Sequence, residues 1–155
     1  MRTTLMLGLA SAITITATSA VFSNPLEDAV KARQAYYQVI KSNSGPLFGM
    51  MKGNVAYDAE QATTYANNLK TLAALNNAHM WKAGSDKEAL PGKTRALASI
   101  WADGSDIGKL ASDWRSAIDE LVKVAGAGKD AMAPKMAAVG KGCAACHKAH
   151  RAKDF

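Results

Sequence analysis

The sequence predicts an all-α fold, specifically an antiparallel four-helix bundle. Four segments carry apolar residues at helical spacing, the links between them are mainly short, and no stretch alternates apolar and polar residues as a strand would. At 155 residues, the chain can bury one core of modest size. In such a bundle, a binding site is built from side chains on facing helices.

Residues 1–23 are predicted to be a cleaved secretory signal peptide. Arg2 gives a short positive start, residues 5–20 are apolar or small and uncharged, and small residues up to Ser23 offer cleavage points. The alternative is an uncleaved anchor, but the many Thr, Ser and Ala residues make this stretch a weak spanning helix. We therefore expect one domain over residues 24–155, located in the periplasm and without membrane association after cleavage.

The first predicted helix begins at Asn24, an N-cap that is followed by proline, and runs to about Lys41. The residues Ser-Asn-Ser-Gly-Pro at 42–46 then predict a break, and residues 47–52 a short apolar turn or helix. The inward stripe of the first helix is predicted to contain Leu26, Val30, Arg33, Tyr37 and Ile40.

The second predicted helix begins after Asp58, with Gln61 in the position of a capping box, and ends near residues 77–79. Glycines and a Pro-Gly pair punctuate residues 80–103, which are predicted to be a long connection. Because connections of this length are uncommon in a compact domain, we expect it to be functional or to wrap over the core.

The third and fourth helices complete the predicted bundle. Ser105-Asp106 starts the third helix, which has a clean apolar face and ends at Gly126. Asp130 opens the fourth helix, where Pro134 is tolerated near the first turn. One stripe of the fourth helix contains Met132, Met136, Val139, Cys143, Cys146 and His150.

The strongest chemical signal is Cys-Ala-Ala-Cys-His at residues 143–147, which contains both cysteines of the chain. C-x-x-C-H is the attachment signature of c-type haem. Cys143 and Cys146 share a helix face, so both sulfurs can form thioethers with the vinyl groups of one porphyrin. His147 can then place an imidazole nitrogen on the iron. We therefore predict one covalently attached haem c, carried by the fourth helix and faced by the first.

The motif has three other interpretations: a redox C-x-x-C, a structural disulfide, or half of a zinc site. A thioredoxin-like site requires a βαβ context, which the sequence lacks. A zinc site requires four ligands, and only His79 and His150 remain to complete one, without a second C-x-x-C. Haem attachment also agrees with the predicted export, because c-type haem is attached outside the cytoplasm.

The formal net charge of the chain is +6, and its Lys and Arg residues are scattered rather than clustered. A basic surface of this kind can steer an acidic redox-partner protein towards the site. It does not indicate nucleic-acid binding.

Further motifs accompany the haem signature. They are Arg33-Gln34 in the first helix, the stretch 43–53 followed by Tyr57-Asp58, the residues Ile-Trp-Ala-Asp at 100–103, and Arg151 four residues after His147. With them, residues 24–155 resemble the cytochrome c′ family. The position of the haem motif is specific, since most c-type cytochromes of other classes carry it near the N-terminus.

The resemblance implies that His147 ligates the iron on one side only. Side chains of the first helix then close the other side and leave the iron five-coordinate and high-spin. Such proteins bind nitric oxide and carbon monoxide and are also described as electron carriers, and homodimers packed through the first two helices are common. We expect the same of this chain and no enzymatic activity, because the first two helices offer no distal histidine or acid–base pair for a peroxidase.

The resemblance assigns three further residues to the haem site. Tyr37 covers the open side of the iron, where its ring would exclude water and its hydroxyl could donate a hydrogen bond to a bound gas; packing in the bundle is its alternative role. Arg33 reaches a haem propionate or is a snorkelling surface cation. Arg151 lies beside the proximal imidazole or is an ordinary cation in the last helical turn.

The main alternative function is a low-spin, six-coordinate electron-transfer cytochrome on the same fold, with a methionine of the first helix on the iron. The chain has no methionine within residues 24–48, and Met50 and Met51 are expected to fill the core. His150 departs from the family, which has an aromatic residue three positions after the ligand, and we expect it to be partly exposed near the helix end. His79 is expected at the surface.

Overall fold

The computed structural model describes residues 24–155, so the predicted signal peptide lies outside the described residues. Its helices are α1, Pro25–Lys52; α2, Ala59–Ala73; α3, Ile107–Val122; and α4, Lys129–His150. Each helix packs against its neighbour in the chain, and α4 packs against α1. The predicted antiparallel four-helix bundle is therefore confirmed. Within residues 24–155, none of the helices combines the length and the apolar character needed to cross a membrane.

The core lies between the four helices and is built from the apolar stripes that the sequence predicts. Burial of a large apolar side chain stabilises the fold by about 1.5–3 kcal/mol. The largest fully buried apolar side chains are Val30, Leu47 and Met50 of α1, Leu69 of α2, Ile118 and Leu121 of α3, and Met132, Met136 and Val139 of α4.

The predicted break at residues 42–46 is wrong, because α1 continues as one helix to Lys52 with Pro46 inside it. A proline in a helix interior costs about 3 kcal/mol. Beyond it, however, Leu47 and Met50 are fully buried, and each contributes about 1.5–3 kcal/mol. Core packing therefore outweighs the turn-forming sequence.

Hydrogen bonds of Asn43 also help α1 to continue through residues 42–46. Its side-chain amide donates to the Val39 carbonyl at 2.9 Å, and its side-chain oxygen accepts a hydrogen bond from Asn68 of α2 at 2.9 Å. The polar groups of the Asn43 side chain thus find their hydrogen-bond partners inside the bundle rather than in a turn. The helix ends at Gly53, whose φ of 80° is the left-handed conformation that favours glycine at a helix end.

α2 begins as predicted, with the Asp58 carboxylate accepting from the Gln61 backbone N–H at 2.8 Å. It ends at Ala73, which is earlier than predicted, and a 3₁₀ turn follows at Ala78–Met80. The long connection is confirmed. We call residues 81–106 the connecting loop; it contains one further 3₁₀ turn, at Ala98–Ile100.

The connecting loop wraps over the core from α1 to the end of α4. Its own residues Leu90 and Ile100 are buried against the rest of the domain. At the α4 end, Leu97 donates its N–H to the His150 carbonyl at 3.0 Å, and Ala152 donates its N–H to the Arg95 carbonyl at 2.8 Å. The loop therefore fixes both the last turn of α4 and the segment that follows it.

Candidate haem site

The C-x-x-C-H motif lies in the last turns of α4 and is helical throughout. Cys143 and Cys146 are free thiols, each partly buried, and His147 is exposed. Since positions three apart share a helix face, the two sulfurs point to the same side of α4. This is the arrangement that attachment to one porphyrin requires.

The thiols of the motif lack the electrostatic environment of reactive cysteines. Burial raises the pKa of both Cys143 and Cys146, and a raised pKa keeps them protonated at neutral pH. Thiols that act as redox nucleophiles instead lie at helix N-termini or beside cations, where their pKa falls. The motif at the C-terminal end of α4 therefore does not suit the thioredoxin-like alternative.

The imidazole of His147 is poised to bind metal. Its pKa is lowered, first by burial and second by the positive charge of Arg95. A lower pKa favours the neutral ring, which is the form that ligates iron. Arg95 lies in the connecting loop and was not predicted, because only the folded loop brings it to the motif.

Arg151 directly follows the last turn of α4, so its place at the helix end is as predicted. It follows α4 as an exposed, extended residue (φ −131°, ψ 123°) and forms an antiparallel bridge with Ala96. Its predicted position beside the proximal imidazole stays a prediction.

Tyr37 lies on the side of α1 that faces the motif. It is 44% exposed, and its ring centroid is 5.1 Å from that of Tyr36 and 6.3 Å from that of Trp81, both edge-on. Enough protein still surrounds the phenol to raise its pKa, with burial as the first cause and the nearby Cys146 as the second. Tyr36, rather than Tyr37, fills the core position, where its hydroxyl donates to the Leu72 carbonyl at 2.9 Å.

Arg33 is a buried cation, only 4% exposed, so the snorkelling alternative is wrong. Its Nη1 donates to Ser85 Oγ at 2.6 Å, and its Nη2 donates to the Ser85 carbonyl at 2.5 Å and to Thr94 Oγ1 at 2.9 Å. The guanidinium also lies 5.2 Å from the ring centroid of Trp81. Burial lowers its pKa, and these hydrogen bonds and the aromatic ring hold its charge in place. Arg33 thus anchors the connecting loop, and its contact with a propionate stays a prediction.

Trp114 of α3 shows that the residues around the motif fit a flat, largely apolar group. Its buried indole N–H makes no hydrogen bond of good geometry among the described residues; its contact is with the Cys143 thiol, whose pKa it lowers against the larger, opposite effect of burial. A Cβ at Gly142 would come within 3.1–3.3 Å of Trp114, so glycine lets α4 approach this ring closely. The unpaired N–H, the partly buried thiols and the half-exposed Tyr37 are the surroundings that a porphyrin would cover.

The two remaining histidines differ in burial. The expectation for His150 is wrong, because its side chain is buried, 5% exposed, with Nδ1 2.9 Å from Ser99 Oγ and Nε2 2.7 Å from Asp106 Oδ1. These partners, distant in sequence, gave no signal in the sequence. His79 is exposed, as expected.

The methionines lie in or against the core. This is as predicted for Met50, which is fully buried, and for Met51, which packs against the core cluster. Within residues 24–155, the remaining methionines are also in the core cluster or packed against it: Met80, Met132 and Met136.

Comparisons with known proteins agree with this geometry. Residues 28–151 match the family model described as cytochrome c′. The chain is 31% identical over 135 residues to cytochrome c′ of Cereibacter sphaeroides, covering 87% of this chain and 90% of that protein. The structure is similar to that of cytochrome c′ from Rhodobacter sphaeroides, with a TM-score of 0.80, 32% identity and coverage of 83% and 98%. It is also similar to a ferrous variant of the Alcaligenes xylosoxidans protein with bound NO, with a TM-score of 0.72, 30% identity and coverage of 86% and 99%.

Proposed function

The chain belongs to the cytochrome c′ family, and we propose that it is a periplasmic high-spin haem protein, rather than an enzyme, that binds nitric oxide and carbon monoxide and exchanges electrons with a redox partner. Proteins of this family carry covalently attached c-type haem. When bound, the haem supplies an iron that coordinates a diatomic ligand and takes up or releases one electron. The side chains of this protein attach the group, bind one side of it and leave the other side open.

Attachment and ligation are assigned to α4. Cys143 and Cys146 would hold the porphyrin through two thioethers, which both sulfurs can form from one helix face. His147 would supply a nitrogen to the iron. Its lowered pKa keeps the lone pair free for the metal at neutral pH.

The observation that carries the gas-binding proposal is what faces the motif from α1. Tyr37 is there, and its raised pKa keeps the phenol protonated, so it is a hydrogen-bond donor and a poor iron ligand. The methionines of the described residues are committed to the core or its edge. The side of the group that faces α1 would therefore be left to a small external ligand, next to the ring of Tyr37.

Solved relatives support this ligand class. Structures of cytochrome c′ from Alcaligenes xylosoxidans contain bound NO or carbon monoxide. Their likeness to this chain covers 86% and 85% of it, at 30% and 32% identity. We infer the same two gases as ligands here.

A homodimer through α1 and α2 is proposed on related grounds. Another similar cytochrome c′ shows ligand-controlled dimer dissociation. In this chain, Val39 of α1 is 47% exposed and Leu75, just after α2, is 50% exposed, so both leave apolar surface for a partner. Sedimentation of the ferrous protein with and without carbon monoxide tests the dimer, and a monomer under both conditions would rule it out.

The optical spectrum of the purified ferric and ferrous protein tests the open coordination. We expect broad high-spin bands in both states and conversion of the ferrous spectrum on addition of carbon monoxide or NO. A sharp low-spin α-band in the ferrous protein without added ligand would instead establish the six-coordinate electron-transfer cytochrome.

The periplasmic location rests on the predicted signal peptide and on the attachment of c-type haem outside the cytoplasm. N-terminal sequencing of the protein from a periplasmic fraction should give a chain that starts after Ala20 or Ser23. Recovery of the intact N-terminus in the membrane fraction would contradict cleavage.

A further inference from the structure

His150 is a buried polar residue, and both nitrogens of its ring contact polar atoms of other parts of the chain. It lies in the last turn of α4 and is 5% exposed. One ring nitrogen lies 2.9 Å from Ser99 Oγ and the other 2.7 Å from Asp106 Oδ1. A buried imidazole without such partners would be strongly destabilising, so both contacts are part of a built arrangement.

These contacts join the connecting loop to the end of α4 at two points. Ser99 lies within the loop, Asp106 is its last residue before α3, and His150 ends α4. Ser99 Oγ also lies 3.4 Å from the Ala149 carbonyl, and Leu97 donates its N–H to the His150 carbonyl at 3.0 Å. The terminal carbonyls of α4, which a helix cannot satisfy by itself, are thus held by the loop.

The same turn of α4 carries the proposed iron ligand. His147 precedes His150 by three residues, and Cys146 precedes it by four, so they are neighbours on the helix surface. Helix ends fray unless they are held. Asp106 Oδ1 lies 2.7 Å from the ring of His150, so its carboxylate stands at the same helix end. The position of the ligand and the charge near it therefore depend on the same residues.

We propose that His150 is a positioning residue for His147: through Ser99 and Asp106 it fixes the last turn of α4 and with it the orientation of the axial imidazole. Asp106 adds a negative charge near the attachment site, which favours the oxidised state of the iron. Charged groups that act on this end include Asp106, which contacts the His150 ring, and Arg95 of the connecting loop, whose positive charge acts on His147. The inference rests on the proposed ligation by His147.

The test compares the holoprotein with three variants, His150→Phe, Ser99→Ala and Asp106→Asn. The resonance Raman iron–histidine stretching band of the ferrous protein reports the axial bond. We expect this band to broaden and shift in His150→Phe and to change less in Ser99→Ala, which keeps the Asp106 contact. Asp106→Asn keeps an acceptor for the ring but loses the charge, so we expect its band to stay close to wild type and its midpoint potential to rise.

Amide hydrogen exchange gives a second readout that does not depend on the iron. We expect the Leu97 amide to exchange about tenfold faster in His150→Phe, because the helix end is released. The matched control is His79→Phe at an exposed histidine, which should change neither the band nor the exchange. If His150→Phe does not fold, the other two variants decide between the outcomes.

Three outcomes are informative. If His150→Phe shows the same iron–histidine band and the same Leu97 exchange rate as the wild type, the positioning role is overturned, while ligation by His147 stands. Unchanged band and potential in both Ser99→Ala and Asp106→Asn also overturn the positioning role. Absence of an iron–histidine band in the wild-type ferrous protein overturns ligation by His147, and this inference with it.

Discussion

On the α1 side of the proposed haem site, aromatic rings face the motif, whereas on the α4 side hydrogen bonds close the helix end. Tyr37 contacts Tyr36 and Trp81 only through ring edges, at 5.1 and 6.3 Å between centroids. At the other side, His150 is held at 2.9 and 2.7 Å by two polar partners. Ring contacts tolerate small displacements, but hydrogen bonds lose strength steeply with poor geometry.

The contrast indicates which side of the proposed site can adapt. The α1 side would admit a ligand by moving rings, while the α4 side would keep His147 in place. The connecting loop serves both sides, since it is anchored to Arg33 at one end and to His150 at the other.

The double substitution Cys143→Ser with Cys146→Ser should abolish covalent attachment, because neither thioether can form. Acid extraction followed by a pyridine haemochrome assay measures it. The matched control Ala144→Ser with Ala145→Ser changes two exposed residues of the motif and should retain the haem. Acid-resistant haem in the cysteine variant would refute the attachment site.

Replacing Arg33 with Leu should lower the free energy of unfolding by about 3 kcal/mol, because buried acceptors on Ser85 and Thr94 lose their donor. Arg33→Lys should keep only part of this free energy of unfolding, since lysine lacks the planar guanidinium that donates to several acceptors at once. Urea unfolding measures the change. The exposed Arg115 is the control, and Arg115→Leu should stay within about 0.5 kcal/mol of wild type. Equal stability of both variants would show that Arg33 does not hold the loop.

Gly142→Ala should destabilise the protein by about 1–3 kcal/mol, because the new Cβ meets the Trp114 backbone as well as its ring. The matched control is Gly108→Ala in α3, where a Cβ meets no atom within 4 Å. That change should stabilise the protein by about 0.5–1 kcal/mol through the better helix propensity of alanine. Thermal unfolding distinguishes these opposite signs, and destabilisation of the same size in both would contradict the packing argument.

Tyr37→Phe should have the smallest effect on stability, within about 0.5 kcal/mol, because the residue is half-exposed. The variant loses the hydrogen bond from the Tyr37 hydroxyl to the bound gas. Because such a bond contributes about 1 kcal/mol, the gas should dissociate several-fold faster. Because the pKa of Tyr37 is raised, its phenol keeps the proton up to and beyond pH ~10, so wild-type dissociation rates should not change between pH ~7 and ~10. Flash photolysis measures the dissociation rate of the gas in the variant and, across this pH range, in the wild type. Equal rates in the two proteins would show that Tyr37 only packs in the bundle.

The features that sequence reasoning predicts well are those encoded locally. The Asp58 cap, the apolar stripes and the shared face of Cys143 and Cys146 all depend on residues within one or two turns of each other. The long connection is equally visible, because its glycines and prolines interrupt helical spacing.

The features that it misses depend on partners distant in the chain. Residues 42–46 are turn-forming in isolation, and only contacts with α2 and the core make them helical. The sequence places Arg33 on an inward stripe and His150 near a helix end, but it does not show the partners that the connecting loop supplies to their side chains. Tyr36 and Tyr37 are adjacent in the chain, and the helical stripe alone assigned the core position to the wrong one.

The contacts between the connecting loop and the end of α4 also bear on the order of events during maturation. His150 meets Ser99 and Asp106 across 51 and 44 residues of chain, and contacts of such long range are expected late in folding. Pulse-labelled refolding should therefore show the Leu97 amide protected after those of α3, and simultaneous protection would contradict this order. We expect Cys143 and Cys146 to stay accessible until then, so late closure would leave time for haem attachment before the helix end is fixed.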